Sequence, residues 1–415
     1  MADAIKTIKE NTKKLLKMGA ADLMDKIHFY REVEKVEENA FKPDANGYSS
    51  GDTVSIKIPT TWLVQEDDFD ITGRIQDAKE RSVNLALDMS GTIPFDLDTR
   101  QLAHDIDVGA VYKRLIQPMI NQMASNIESR MIKKATQYTG NVVGTAGSTI
   151  VDPDTVMSGG EKLDEYLAPD SDRIFLMDSS SMRNAVNANK NLFTFERGEY
   201  NKAIIGNALG FDWYKNQLIY RHTNGNDVTG LAVEASVVAL TEGMTTLGVD
   251  GLTANTGTVT KGTAFTIAGH YAVHPLTKQS LAPLLKQYSH VGADVTANAS
   301  GQVTLTLNEP IYGPASGSLQ NVVALPVDED AITVVGSAST TYKQSLMFQK
   351  HAFRAISVPL PMPTSAELAE QVNENGLNLA LIKYFDGNTR KWVTRLDSLF
   401  GLVPVYPQHA TRVTA

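Results

Sequence analysis

The spacing of apolar positions changes several times along the chain, and each change predicts a different element. Over residues 1–30, Ile5, Ile8, Leu15, Leu16, Leu23, Met24 and Ile27 recur among lysines and acidic residues at helical intervals, which predicts an amphipathic helical arm. Such an arm packs either on its own domain or on a neighbouring subunit or assembly partner. From Asp52 the period falls to two: Val54, Ile56 and Ile58 alternate with polar residues, Pro59 stops the run, and Val83, Leu85 and Leu87 repeat it. Two strands around a polar tip at 63–79 predict a long β-hairpin. The tip carries Glu66, Asp67, Asp68, Asp70 and Arg74, more than a tight turn requires. An unpaired projecting hairpin invites aggregation, so it is expected to lie across another subunit, with those residues as the candidate inter-subunit contact.

The longest helical pattern follows Gly109. Leu115, Met119, Ile120, Met123, Ile127, Met131 and Ala135 keep to one face until Gly140 ends the run. About thirty residues at 1.5 Å each predict a rod of roughly 45 Å, and Pro118 within it predicts a kink or a later start. Arg130, Lys133 and Lys134 gather towards its C-terminal part, where cations suit the helix dipole. Short helices and strands then mix: 154–167 reads as helix, 173–177 as an apolar strand, and 197–223 is rich in turns. No arginine occurs between Arg221 and Arg354, while Thr, Val, Ala and Gly dominate, as in 257–269 and 301–307. Short alternating strands separated by glycines predict a small all-β domain, of barrel type, inserted into a parent fold that resumes near Tyr342. Near the end, Leu377, Leu379 and Leu381 alternate, a turn falls at 386–388, and Trp392, Val393, Leu396, Leu399 and Phe400 follow. This predicts a closing strand pair. Without a regular strand–helix repeat the fold class is α+β.

Composition narrows the function. A length of 415 residues suggests about three folding units. The apolar 42% and charged 20% are ordinary globular usage. No apolar run approaches the roughly 20 residues of a membrane span, and the lysine-interrupted start lacks a signal-peptide block, so no membrane partner is expected and the chain is expected to stay in the cytoplasm where it is made. Cysteine is absent, which removes disulfides, thiol catalysis and cysteine-ligated zinc. A net charge of −9 argues against a protein whose main work is gripping phosphates.

Motifs for chemistry fail one by one. There is no His-Glu-x-x-His helix, Gly-x-Ser-x-Gly elbow or dinucleotide fingerprint. Gly251 and Gly257 are too far apart for a phosphate loop, and Thr258 stands where its lysine belongs. The run starting at Asp68 resembles a calcium loop, yet Lys79 occupies the position of the bidentate glutamate. His270 and His274 lack a spaced carboxylate partner, and Asp178 with Ser179, Ser180 and Ser181 reads as a helix N-cap rather than a nucleophile. No catalytic, cofactor-binding or metal-ligating residue is assigned, and an enzyme is not expected.

The order of parts resembles the coat proteins of tailed bacteriophages, in particular the short-tailed Salmonella phage subfamily whose coat protein carries an inserted domain. The resemblance spans nearly the whole chain and is strongest at 196–199 with 205–214 and His222, at 348–353 leading to 359–361, and at 379–386 with 395–401. It implies an N-terminal arm at 1–50, an extended hairpin loop at 51–90, and a peripheral region with a spine helix at 91–140. It also implies an axial α+β domain from 141–225 and 342–415, and an inserted β domain at 226–341. A major capsid protein is implied, forming pentamers and hexamers of an icosahedral head in the virion. Its partners would be copies of itself, a scaffolding protein, a portal protein and, non-specifically, the packaged double-stranded DNA. The stretch 228–252 is shorter than in the best-known member, and no lysine–asparagine pair is assignable to covalent cross-linking. Two rival readings remain: another self-assembling phage protein of tail-tube or decoration type, and a cytosolic hydrolase with scattered site residues.

Overall fold

In a computed structural model the described residues are 17, 19–24, 27–35, 53–64, 75–76, 80–98, 117–148, 152–189, 206–364, 366, 368–388 and 391–414. The chain forms two compact units. One comprises Met1–Ile56, Val83–Ile132 and Phe353–Val403; the other comprises Lys57–Ser82, Lys133–Ala352 and Pro404–Ala415. Both mix helices with sheets.

In the first unit one sheet runs in the order Glu34–Lys35, Phe353–Ser357, Lys391–Pro404, Leu377–Asp386, Leu368–Glu374, with Met89–Asp98 also pairing Lys391–Pro404. The predicted closing pair is present, with Ala380 opposite Asp397 and Asp386 opposite Lys391. It pairs with Met89–Asp98, in register from Phe400 opposite Met89 to Lys391 opposite Asp98. The sequence reading grouped all of 342–415 with 141–225. In the structure only Thr341–Gln349 and Ala410–Thr414 enter the sheet that holds Arg173–Met177, whereas the strands of 353–403 belong with 89–98. Periodicity shows that a strand exists; its partner depends on register and long-range packing, which one sequence does not display.

The long helix is described over Gln117–Tyr138, 22 residues or about 33 Å. Pro118 falls in its first turn, where the missing N–H costs no hydrogen bond. Ile120, Met123, Ala124, Ile127 and Met131 form its buried stripe. Gly91 leaves room for the Met123 sulfur, which a Cβ there would meet at 2.7 Å. Glu128 is fully buried and accepts from the Phe29 N–H at 2.7 Å, at the start of the short helix His28–Glu32. Arg130 donates to Ser90 O at 2.6 Å and lies 5.6 Å from the Phe400 ring centroid. It thus serves a sideways contact, and the last helical turn holds no basic residue. Of the N-terminal helical pattern, Leu23, Met24 and Ile27 are buried; residues 1–16 lie outside the described set.

In the second unit a mixed sheet runs Asn141–Val143, Ala410–Thr414, Thr341–Gln349, Arg173–Met177, Phe211–Lys215, Asn207–Ala208. The helices Pro153–Glu165 and Ser179–Asn189 share its core through Val156, Leu163 and Met182 packed with Phe175, Phe211, Trp213 and Met347. Each helix opens on an aspartate: Asp152 accepts from Thr155 N and Asp178 from Ser181 N, both at 2.9 Å, satisfying N–H groups that have no partner within the helix.

The Thr/Gly-rich stretch of the same unit builds a six-stranded antiparallel sheet in the order Ser280–Ser289, Ala264–Val273, Ala331–Val334, Leu231–Val233, Met244–Asp250, Val303–Ile311. Its outermost strands meet again at the His290–Leu307 bridge, where Val291 N donates to Thr306 O at 2.9 Å. The path therefore closes on itself as a small barrel, which removes the free edges an open sheet would leave. Leu231, Leu247, Val249, Phe265, Ile267, Tyr288, Leu305, Ile311 and Ile332 fill it. Lys286, fully buried, pairs with Glu309 at 2.7 Å and lies 4.5 Å from the Tyr166 ring centroid. Burial pulls its pKa down most strongly, but Glu309 and Tyr166 together more than offset that and lift it to about 12.

Candidate inter-subunit surface

The hairpin forms as the alternation predicts: Thr53–Ile58 and Arg81–Ala86 are a two-stranded sheet. Ile56, Ile58 and Leu85 are buried, while Ser55, Lys57, Ser82 and Asn84 on the other face are exposed. Lys57 and Glu80 pair across the strands at 2.7 Å in full solvent, a contact that contributes little. Beyond Pro59 the two legs stay together without ladder bonds. Gln76 clamps Leu63 at both backbone atoms, donating to its carbonyl at 2.7 Å and accepting from its N–H at 2.9 Å. Thr61 Oγ1 donates to Ser318 O at 2.9 Å.

On either side of this clamp the ribbon carries large apolar side chains in water. Trp62 is 54% exposed, Val64 87% and Ile75 82%. Scattered single apolar residues are ordinary on a surface; three on one narrow ribbon mark a contact surface. The sequence reading placed the contact in Glu66, Asp67, Asp68, Asp70 and Arg74, all of which lie outside the described residues. It missed Trp62, Val64 and Ile75. The available signal was the run Trp62-Leu63-Val64 continuing beyond the proline that stops the strand, where a solvated loop would turn polar at once.

A second assembly of polar groups joins distant parts of the second unit. Arg412 is fully buried and donates to Thr139 O and Gly262 O, both at 2.6 Å, to Ser289 Oγ at 2.7 Å and to Gln137 O at 3.4 Å. Burial depresses its pKa to about 9. Gly262 takes φ +97°, and a Cβ there would meet Gln137 Cγ at 3.0 Å, so the close approach needs glycine. His222, also buried, faces Thr263 Oγ1 at 3.4 Å. Burial first, then the Arg412 charge, hold its pKa down at about 4.

Of the groups tested for chemistry, Asp178, His274 and the loop between Gly251 and Gly257 have structural roles. Asp178 caps its helix and receives the Lys343 ammonium at 2.5 Å; although burial opposes ionisation, Lys343, Ser180 and Ser181 keep the carboxyl well below the usual range. His274 Nδ1 accepts from Thr277 N at 3.1 Å, closing a turn. Asp227 accepts from Thr253 N at 2.7 Å, organising the loop between Gly251 and Gly257. Among the described residues, no three His or acidic side chains converge as a metal site would require.

Comparison with known proteins places the chain in a family. A family model described as "P22 coat protein - gene protein 5" matches residues 23–412. A major capsid protein of Acyrthosiphon pisum secondary endosymbiont phage 1 is 31% identical over 114 residues, a match spanning 27% of this chain and only about a quarter (26%) of that relative. Among solved structures, the head of Helicobacter pylori bacteriophage KHP40 aligns with 92% of this chain and 87% of its own at 9% identity and a TM-score of 0.43. The capsid of cyanophage P-SCSP1u aligns with 92% and 85% at 12% identity and a TM-score of 0.42. The family match defines a coat protein of a tailed phage, a structural component of the virion capsid and not an enzyme. With all but the outermost residues covered by that model, the chain belongs to the P22 coat protein family.

Proposed function

We propose that this chain is the major capsid subunit that closes an icosahedral phage head as pentamers and hexamers, with its hairpin laid across a neighbouring copy. The observation carrying the hairpin's role is the exposure of Trp62, Val64 and Ile75 on one ribbon: their burial has to come from outside the ribbon, and identical copies are the most abundant partner in a shell. Contacts of this kind are heterologous, one surface meeting a different surface of the next copy, and close into rings. In this reading the acidic tip at Glu66, Asp67, Asp68, Asp70 and Arg74 continues the same contact. The barrel is an inserted domain spanning 226–341, 1–50 is an N-terminal arm, and a scaffolding protein is a partner in assembly. A portal protein and the packaged DNA are further partners.

The test is negative-stain electron microscopy of the full chain, produced alone and together with the product of the gene upstream as candidate scaffold. Closed shells of uniform diameter are expected. A discrete small oligomer under every condition would overturn the reading.

A further inference from the structure

An open groove of about 710 Å³ in the second unit has an unusual charge for this protein. Its lining includes Lys133 from the end of the long helix, Arg221, and Lys261 from the loop before strand Ala264–Val273, against one carboxylate, Asp294. Asp294 already accepts from the Lys261 N–H at 2.7 Å. Among the described residues no carboxylate pairs with Lys133 or Arg221; Lys133 lies over the Tyr220 ring at 5.8 Å. The buried Arg412 guanidinium adds a further positive charge, bonded to the carbonyls of Gln137 and Gly262. In a chain whose net charge is −9, this concentrates one sign on a concave surface, and such a surface attracts an anionic partner.

We propose that this groove receives the acidic hairpin tip, Glu66 to Asp70, of a second copy of the chain. The inference rests on the reading that the hairpin lies across a neighbour, and it says where the tip lands. Charge complementarity carries the inference: four carboxylates within five residues meet three cations and one already engaged carboxylate.

The experiment is a charge swap in the full chain. Lys133→Glu with Arg221→Glu and Lys261→Glu reverses the groove; Glu66→Lys with Asp67→Lys, Asp68→Lys and Asp70→Lys reverses the tip. Each set alone is expected to reduce shell yield more than about tenfold, since like charges then face each other across the contact, while both sets together restore it. Circular dichroism and the unfolding midpoint check that the subunits remain folded. Should the triple variant misfold, Lys133→Glu and Arg221→Glu, both at exposed positions, carry the same comparison singly. Wild-type yield from the groove variant overturns this inference alone. Wild-type yield from the tip variant overturns it by removing the tip from assembly altogether, leaving Trp62, Val64 and Ile75 to be tested separately. Two impaired variants without rescue also overturn the pairing, and loss of nucleic acid from shells of the groove variant would assign the groove to phosphates instead.

Discussion

The barrel and the hairpin are both antiparallel β-structure, yet they handle apolar surface in opposite ways. The barrel closes its strand path at His290 and Leu307 and turns Phe265, Tyr288, Leu247 and Ile332 inward. The hairpin pairs only two strands, clamps its legs with Gln76, and leaves Trp62, Val64 and Ile75 in solvent. A two-stranded ribbon is marginally stable by itself, so it gains its ordered state from whatever it lies on. The comparison separates residues that fold the subunit from residues that join subunits, and the two groups respond differently to substitution.

The largest expected effect on folding is in the barrel core. Phe265→Ala removes a buried ring 6.0 Å from Tyr288 and should cost about 3–5 kcal/mol in urea unfolding; a loss below 1 kcal/mol would show that the barrel contributes little to subunit stability. Next is Arg412→Met, which leaves the carbonyls of Thr139 and Gly262 and the Ser289 hydroxyl without this buried donor. A loss of about 3 kcal/mol is expected by the same measurement.

A pH effect follows from His222. Its folded pKa of about 4 lies below the ordinary 6.5 because burial and Arg412 disfavour the charged ring, so the unfolded chain binds the proton more readily. The stability it confers is complete above pH 6.5 and is lost as pH falls towards 4, by on the order of 3 kcal/mol. Replacing it by Asn should flatten that part of the stability–pH curve; an unchanged slope would assign the acid sensitivity to other groups. Smallest for folding is the pair Trp62→Ser and Ile75→Ser, expected to shift subunit stability by less than about 0.5 kcal/mol while abolishing shells seen by electron microscopy. Intact shells from that variant would move the contact off the ribbon and erase the contrast.

Local periodicity made several of these elements legible in the sequence. Val54, Ile56 and Ile58 announce the hairpin, the Met119-to-Ala135 stripe the long helix, and Leu377 to Leu381 the closing pair, because a repeat of two or 3.6 is written in consecutive residues. Asp178 was legible as a cap for the same reason. The partner of the closing pair was not, since Met89–Asp98 lies some 300 residues away in sequence and nothing local encodes that register. Arg412 was invisible too: an arginine near a polar end reads as a solvated charge until the fold brings four acceptors around it.

The placement of Ala410–Thr414 also sets an order of events during synthesis. This strand lies between Asn141–Val143 and Thr341–Gln349, so the middle of the second unit's main sheet waits for a segment that leaves the ribosome long after its neighbours. The barrel, whose strands all fall within 231–334, has its partners in hand earlier and can fold while translation continues. The Gly262 carbonyl and the Ser289 hydroxyl lack the Arg412 donor until that residue has been made. Completion of the sheet thus depends on residues 410–414, and the middle of the second unit's main sheet is closed only once that strand has been made.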